Sequence, residues 1–184
     1  MKNVLLFLLI CFGFISFQCK HNNSHQQIYS SAQSIPRFMI SAPQGWELEL
    51  RNPPVQNTLA IITPENKNPK NPDALITVSL IEKDSILTIE HLIDMDKEVL
   101  RSKFGDIRFQ KLPEIQLKNK NNLAKLYKVT APDKTNFFII AYIEEANSFI
   151  SLMLKSDSTK NFDSFYQDFI TVVKSYTNIT DSTI

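Results

Sequence analysis

Few side chains in this sequence could carry out covalent or acid–base chemistry. The two thiols are Cys11, inside an apolar run, and Cys19, at the polar end of that run. The chain after Cys19 has no thiol, which excludes a disulfide, a cysteine zinc site or a thiol nucleophile there. His91 and Asp96 are the acid–base candidates. Five residues apart on a helix, they diverge by about 140° and do not face one another, so no catalytic residues are expected. Asp96 falls within an apolar stripe, where a carboxylate must be paired or hydrogen-bonded. It is either an acid of raised pKa in a pocket or a carboxylate held by strand backbone or a lysine, or placed at the edge of the stripe. His21 and His25 sit at i, i+4, the spacing at which one helix could present two metal ligands. Nothing in KHNNSHQQ favours a helix and no third ligand is near, so no metal is expected. The three glycines, Gly13, Gly45 and Gly105, lie far apart. They cannot form a phosphate-cradling G-x-x-x-x-G-K-[ST] or G-x-G-x-x-G loop, and no G-x-S-x-G elbow is present. No cofactor is implied.

The stretch Met1 to Cys19 decides where the chain works. Lys2 provides a positive start, and Val4 to Phe17 is an uncharged apolar run broken only by Gly13 and Ser16. Its length, about 21 Å as a helix, falls short of the roughly 20 residues that cross a bilayer and suits a secretory signal. A cysteine ending such a run resembles the bacterial lipoprotein signal. Ser16 and Gln18 stand where that family usually has leucine and a small residue. The resemblance implies cleavage before Cys19, which becomes the first residue of the mature protein and carries acyl chains. Lys20 follows, where some bacteria place aspartate to retain a lipoprotein at the inner membrane, so the outer membrane is the expected location. The alternatives are release by the ordinary signal peptidase, for which Ser30-Ser31-Ala32 lies too far downstream, and an uncleaved short anchor.

Removing residues 1–18 leaves 166 of the 184 residues, enough for one domain and a tether. Lys2 is the only charge lost, so the mature chain is formally neutral, with 19 basic and 19 acidic residues. Without basic excess there is no electrostatic footprint for nucleic acid, and none is expected as a partner.

Residues 19–34 are polar apart from Ile28 and Tyr29 and read as a flexible tether. The domain is expected over 35–177. Phe38 and Ile40, then Trp46, Leu48 and Leu50, alternate with polar residues on either side of a Pro43-Gln44-Gly45 turn, which predicts two strands. Thr58 to Thr63 and Ala74 to Ile81 are further strands, separated by a loop, Pro64 to Asp73, with three prolines. Thr88 is an N-cap before a helix to Phe104. Asp106 to Lys118 is a strand pattern interrupted by Pro113, followed by a strand from Leu123 to Thr130. Phe137 to Ile143 is apolar at every position, as for a strand covered on both faces. A turn at Glu144 to Asn147, with Asn147 able to take positive φ, leads to Phe149 to Leu154, and this hairpin is expected at the centre of the sheet. Phe162, Phe165, Phe169, Ile170, Val173 and Tyr176 form one stripe of a closing helix from about Thr159. Residues 178–184 are a polar tail.

This order predicts an α+β single domain: a mainly antiparallel sheet covered by two principal helices. RFMISAPQGWELEL, ALITVSLI, FFIIAYIEEANSFISLML and FDSFYQDFITVVKSY resemble the PsbP/DcrB-like superfamily over Ile35 to Tyr176, with Pro43, Gly45 and Trp46 as fold markers. The resemblance implies an α/β/α sandwich and a small exported or lipid-anchored accessory protein without a shared catalytic site. Two functions follow as expectations. One is a non-catalytic module, held to the membrane by lipid on Cys19, that binds an envelope protein through the Pro64–Asp73 loop or strand edges. The other, motivated by thirteen phenylalanines, is a carrier of a small apolar ligand in a pocket of at least about 300 Å³. An enzyme is the third and weakest reading.

Overall fold

The computed structural model describes residues 38–55, 57–65, 73–118, 122–132, 136–156 and 162–179. The leader, the tether with Cys19, His21 and His25, most of the Pro64–Asp73 loop, the expected first turn of the closing helix and the end of the tail lie outside the described residues.

The strands are β1 (Phe38–Met39), β2 (Trp46–Val55), β3 (Thr58–Pro64), β4 (Ala74–Glu82), β5 (Arg108–Lys111), β6 (Ile115–Gln116), β7 (Leu123–Thr130), β8 (Phe137–Glu144), β9 (Ser148–Ser156) and β10 (Thr177–Asn178). The helices are α1 (Ile89–Phe104), between β4 and β5, and α2 (Phe162–Ser175), between β9 and β10. Eight strands form one antiparallel sheet in the order β2-β3-β4-β9-β8-β7-β5, with β6 also paired to β7. β1 and β10 form a separate two-stranded ribbon. No described helix is long and apolar enough to cross a membrane.

Side-chain alternation assigns each helix its own face. On β8, Phe137, Ile139, Ala141 and Ile143 pack in the cluster that contains Phe162, Phe169, Val172 and Val173 of α2. Phe138, Ile140 and Tyr142 pack with Ile89, Leu92, Ile93 and Leu100 of α1. β8 is therefore buried on both faces, as its unbroken apolar run requires, and β9 beside it is the central strand. The fold is an α+β sandwich with one helix on each side of the sheet.

α1 begins where sequence chemistry places it. Thr88 Oγ1 accepts the His91 N–H at 3.2 Å, and Asp84 Oδ1 accepts the N–H groups of Ile86 and Leu87 at 3.0 and 2.7 Å. These bonds satisfy donors that the helix itself leaves open. The helix ends at Gly105, whose φ of 78° is accessible to glycine at little cost.

The two strands expected on either side of the Pro43-Gln44-Gly45 turn both form, and each finds its partner elsewhere: β1 pairs with β10, and β2 with β3. Period-two alternation shows that a segment is extended and does not choose its partner. One expectation is corrected. The positive non-glycine φ belongs to Asn57 (64°) rather than Asn147, because Asn57 makes the tight β2–β3 turn and its carbonyl accepts Leu80 N–H at 2.9 Å. The Pro113 interruption becomes two short strands, β5 and β6, both paired to β7.

The Pro43-x-Gly45-Trp46 marker has a structural cause. Gly45 has φ 80° and Trp46 N–H reaches Pro43 C=O at 3.2 Å, the pattern of a type II turn. The turn delivers Trp46 to α2, where its Nε1–H donates to Asp168 Oδ2 at 3.0 Å and its ring meets Phe165 edge-on at 5.7 Å. Trp46→Phe keeps the ring contact and removes the donor. It is expected to cost about 1–2 kcal/mol in denaturant unfolding, and an unchanged midpoint would show that the indole bond contributes nothing.

Candidate functional site

The chemistry-bearing residues fall in two places on the α1 side. The first is the seam between α1 and the sheet. Asp96 points at β8 and accepts a hydrogen bond from the Tyr142 hydroxyl at 2.7 Å. Burial pushes the Asp96 carboxyl up to about 6, against the opposing effect of the Tyr142 bond. Burial, with the Asp96 charge beside it, holds the Tyr142 phenol well above its ordinary range. Tyr127 meets the Tyr142 ring edge-on at 6.1 Å, and Lys97 lies over Phe109 at 5.4 Å while pairing with Asp94 at 2.8 Å. A carboxyl near pKa 6 can exchange protons at neutral pH. Here its hydrogen-bond donor is a fully buried phenol, and the bond joins helix to sheet. His91 is elsewhere: exposed, with Nδ1 3.3 Å from the Ile86 carbonyl oxygen. Of the readings open for Asp96, it has the raised pKa, and its partner is a strand side chain rather than backbone or lysine.

The second place is the end of the sheet at the start of α1. An open cleft of about 310 Å³ is lined by Ile89, Asn122, Leu123, Lys125 and Glu144. Its rim carries two ion pairs, Lys125–Glu90 at 2.6 Å and Lys83–Glu144 at 2.8 Å. Hydrogen bonding to Lys125 holds the Glu90 carboxyl below its ordinary value, and Glu90 in turn raises Lys125. Beside the cleft Glu145 is buried in the β8–β9 turn. Its carboxylate accepts Asn178 Nδ2–H at 2.7 Å and Asn122 Nδ2–H at 3.4 Å. Lys83 Nζ donates to the Glu145 carbonyl at 2.6 Å. Glu145 thus ties together β8, the start of β7 and β10. The cleft reaches the size of a ligand site, but three of its five lining residues are polar and it opens to solvent, unlike an enclosed apolar pocket. Among the described residues, no three His, Cys, Asp or Glu side chains gather as a metal site would require.

Sequence reasoning found Asp96 by its place in an apolar stripe. It missed Tyr142, which reads as one more apolar residue of β8, and Glu145, which reads as an exposed turn carboxylate. The single signal for Glu145 is its doublet with Glu144, which does not say which of the two turns inward. Cys19, His21 and His25 lie outside the described residues.

With this geometry in place, the class can be stated: the chain has the PsbP-like α+β fold. Similar solved structures include the cyanobacterial PsbP (CyanoP) of Synechocystis sp. PCC 6803, at 16% identity, 88% of this chain and 98% of that one, TM-score 0.55. The Ran-binding protein Mog1p of Saccharomyces cerevisiae is similar at 11% identity, 85% and 97% coverage, TM-score 0.52. LpqN of Mycobacterium tuberculosis, involved in cell envelope biogenesis, is similar at 13% identity, 85% and 91% coverage, TM-score 0.51. At these identities the likeness is one of fold. No protein-family model matches the sequence, and no curated protein sequence does either.

Proposed function

We propose that this chain is a lipid-anchored accessory protein of a bacterial envelope, held by Cys19 to the outer membrane, that binds another envelope protein and catalyses no reaction. The observation that carries the reading is an apolar leader ending at Cys19 in front of a domain of PsbP-like fold. An envelope accessory role is consistent with LpqN among the structural neighbours, and Mog1p is an instance of the fold in a protein that binds a protein. The polar groups within the domain also favour it: Asp96 is engaged by Tyr142, Glu145 by Asn122 and Asn178, and Trp46 by Asp168. Each of these bonds joins one element of the fold to another.

The test is crosslinking in intact cells followed by capture, comparing the native protein with Cys19→Ala. Acylation with two or more chains gives a stable anchor, since each buried CH₂ contributes about 0.8 kcal/mol. The variant is therefore expected to leave the membrane fraction and to lose a recurrent envelope partner. Equal membrane association of both forms would overturn the anchor. Capture of an apolar compound and no protein would replace the accessory reading by the carrier.

A further inference from the structure

We propose that the end of the domain bearing Ile86 and Leu123 is its membrane-facing surface, with these two side chains entering the interfacial layer of a zwitterionic bilayer. The proposal rests on the anchor at Cys19 proposed above and adds an orientation to it.

Ile86 is 76% exposed and Leu123 46%, and among the described residues they are the exposed large apolar side chains. They share one end of the molecule. Leu123 and Ile89 line the same cleft, and Ile86 is in the turn that leads into α1, fixed by the Asp84 carboxylate and by its own carbonyl against His91. Leaving an isoleucine in water on an ordered turn, with an exposed leucine at the same end, gains nothing for folding. That both lie at the same end of the domain, rather than scattered over its surface, points to a contact there.

The chain itself says what that surface faces. Phe38, the first described residue, pairs with Asn178. Asn178 donates to the Glu145 carboxylate, which also accepts from Asn122, and Asn122 is in the wall of the cleft together with Glu144. The segment from Cys19 therefore enters the domain at the same end as Ile86 and Leu123. The opposite end, at Gly105, lies one α1 length away, about 24 Å for 16 residues. Eighteen residues separate Cys19 from Phe38, a reach of at most about 65 Å. A link of that length keeps the domain near the bilayer without setting its orientation, so the surface must set it.

The charges choose the lipid. Among the described residues of this rim, Lys83 and Lys125 are paired to Glu144 and Glu90, and the charge of Asp84 balances that of exposed Lys118 in the turn between β6 and β7. The described charges of such a rim leave no net positive charge to draw it to anionic headgroups. A surface with two apolar side chains and internally matched charges fits phosphatidylethanolamine or phosphatidylcholine. Two side chains are too few to bring a soluble domain to a membrane. Once the domain is tethered, the contact becomes intramolecular at millimolar effective concentration and weak insertion suffices.

The test uses the full lipidated protein in vesicles of phosphatidylethanolamine and phosphatidylcholine. A single reporter thiol is placed beside the surface by Asn147→Cys or at the far end by Asp106→Cys. Asn147 belongs here because its carbonyl accepts Lys83 N–H at 3.1 Å. A polarity-sensitive dye on each thiol is read with nitroxide-bearing lipid. The dye at 147 is expected to be quenched several-fold more than that at 106, and Ile86→Ser with Leu123→Ser is expected to equalise them while the protein stays on the vesicles. Replacing part of the lipid with phosphatidylglycerol is expected not to increase quenching. Equal quenching in the native background, an unchanged contrast in the double variant, or a crosslink from position 147 to a protein in cells would overturn the orientation and leave the anchor standing. A protein that leaves the vesicles with Cys19 unacylated by intact mass would overturn both.

Discussion

Phe169→Ala is expected to destabilise the domain by about 4 kcal/mol, the range for a buried aromatic cut back to Cβ. Phe169 is fully buried and lies midway along α2, in the cluster that joins this helix to β3, β4, β7, β8 and β9. Its neighbours are held from both sides: β8 and β9 also pack against α1 and cannot move towards α2 to fill the space without opening the opposite face. The cavity should therefore persist, and the cost should lie towards the upper part of the range. For a domain of this size the loss corresponds to a fall in Tm of roughly 10–15 °C. The measurement is thermal and urea unfolding of the domain with both probes coincident. A loss below about 1 kcal/mol would show that α2 can settle onto the sheet, and that the two-sided core is looser than its burial indicates.

The second large effect depends on pH and goes the other way. Asp96→Asn is expected to stabilise the protein by about 2–3 kcal/mol above pH 7 and to have little effect below pH 4. The folded carboxyl titrates at about 6, above its ordinary value of 3.8, chiefly because burial disfavours the charge. A carboxyl raised in the folded state binds its proton more tightly there than in the unfolded chain. Its favourable contribution is complete below the unfolded value and is lost as pH rises through about 6. The folded chain holds this proton roughly a hundredfold more tightly than the unfolded chain, and each tenfold is worth about 1.4 kcal/mol, which sets the magnitude. Asparagine keeps an oxygen acceptor for the Tyr142 hydroxyl and has no charge to desolvate, so the penalty disappears. Tyr142→Phe tests the same seam from the strand. It removes the bond that lowers the carboxyl, so the titration should move above 6. Parallel stability curves for native protein and Asp96→Asn between pH 4 and 8 would mean that Asp96 is solvated in solution and that the seam carries no buried charge.

The amino-acid order by itself determined the local elements and the plan they fit. Continuous apolar residues from Phe137 to Ile143 pointed to a strand covered on both faces, because the run is short, rich in aromatic and β-branched residues, and has no polar face. Helical spacing from Ile89 to Phe104 and from Phe162 to Tyr176 supplied one apolar stripe for each face. Thr88 marked a helix cap and Pro43-Gln44-Gly45 a turn through chemistry that acts within a few residues. The sequence also singled out Asp96, since a carboxylate in an apolar stripe is anomalous without any knowledge of the fold.

Only the tertiary structure decided who meets whom. β1 joined β10 instead of β2, because alternation fixes a strand's faces and leaves its edge free to choose any partner of matching register. Asn57 took the positive φ because the register of β2 and β3 put the tight turn there. Tyr142 became the donor to Asp96 because the path of α1 over β8 brings positions 46 residues apart within 2.7 Å. Glu145, rather than Glu144, turned inward because Asn122 and Asn178 converge on it from distant parts of the chain. The same convergence places the entry of the chain beside Ile86 and Leu123. Each of these is a long-range contact, and no local propensity encodes it.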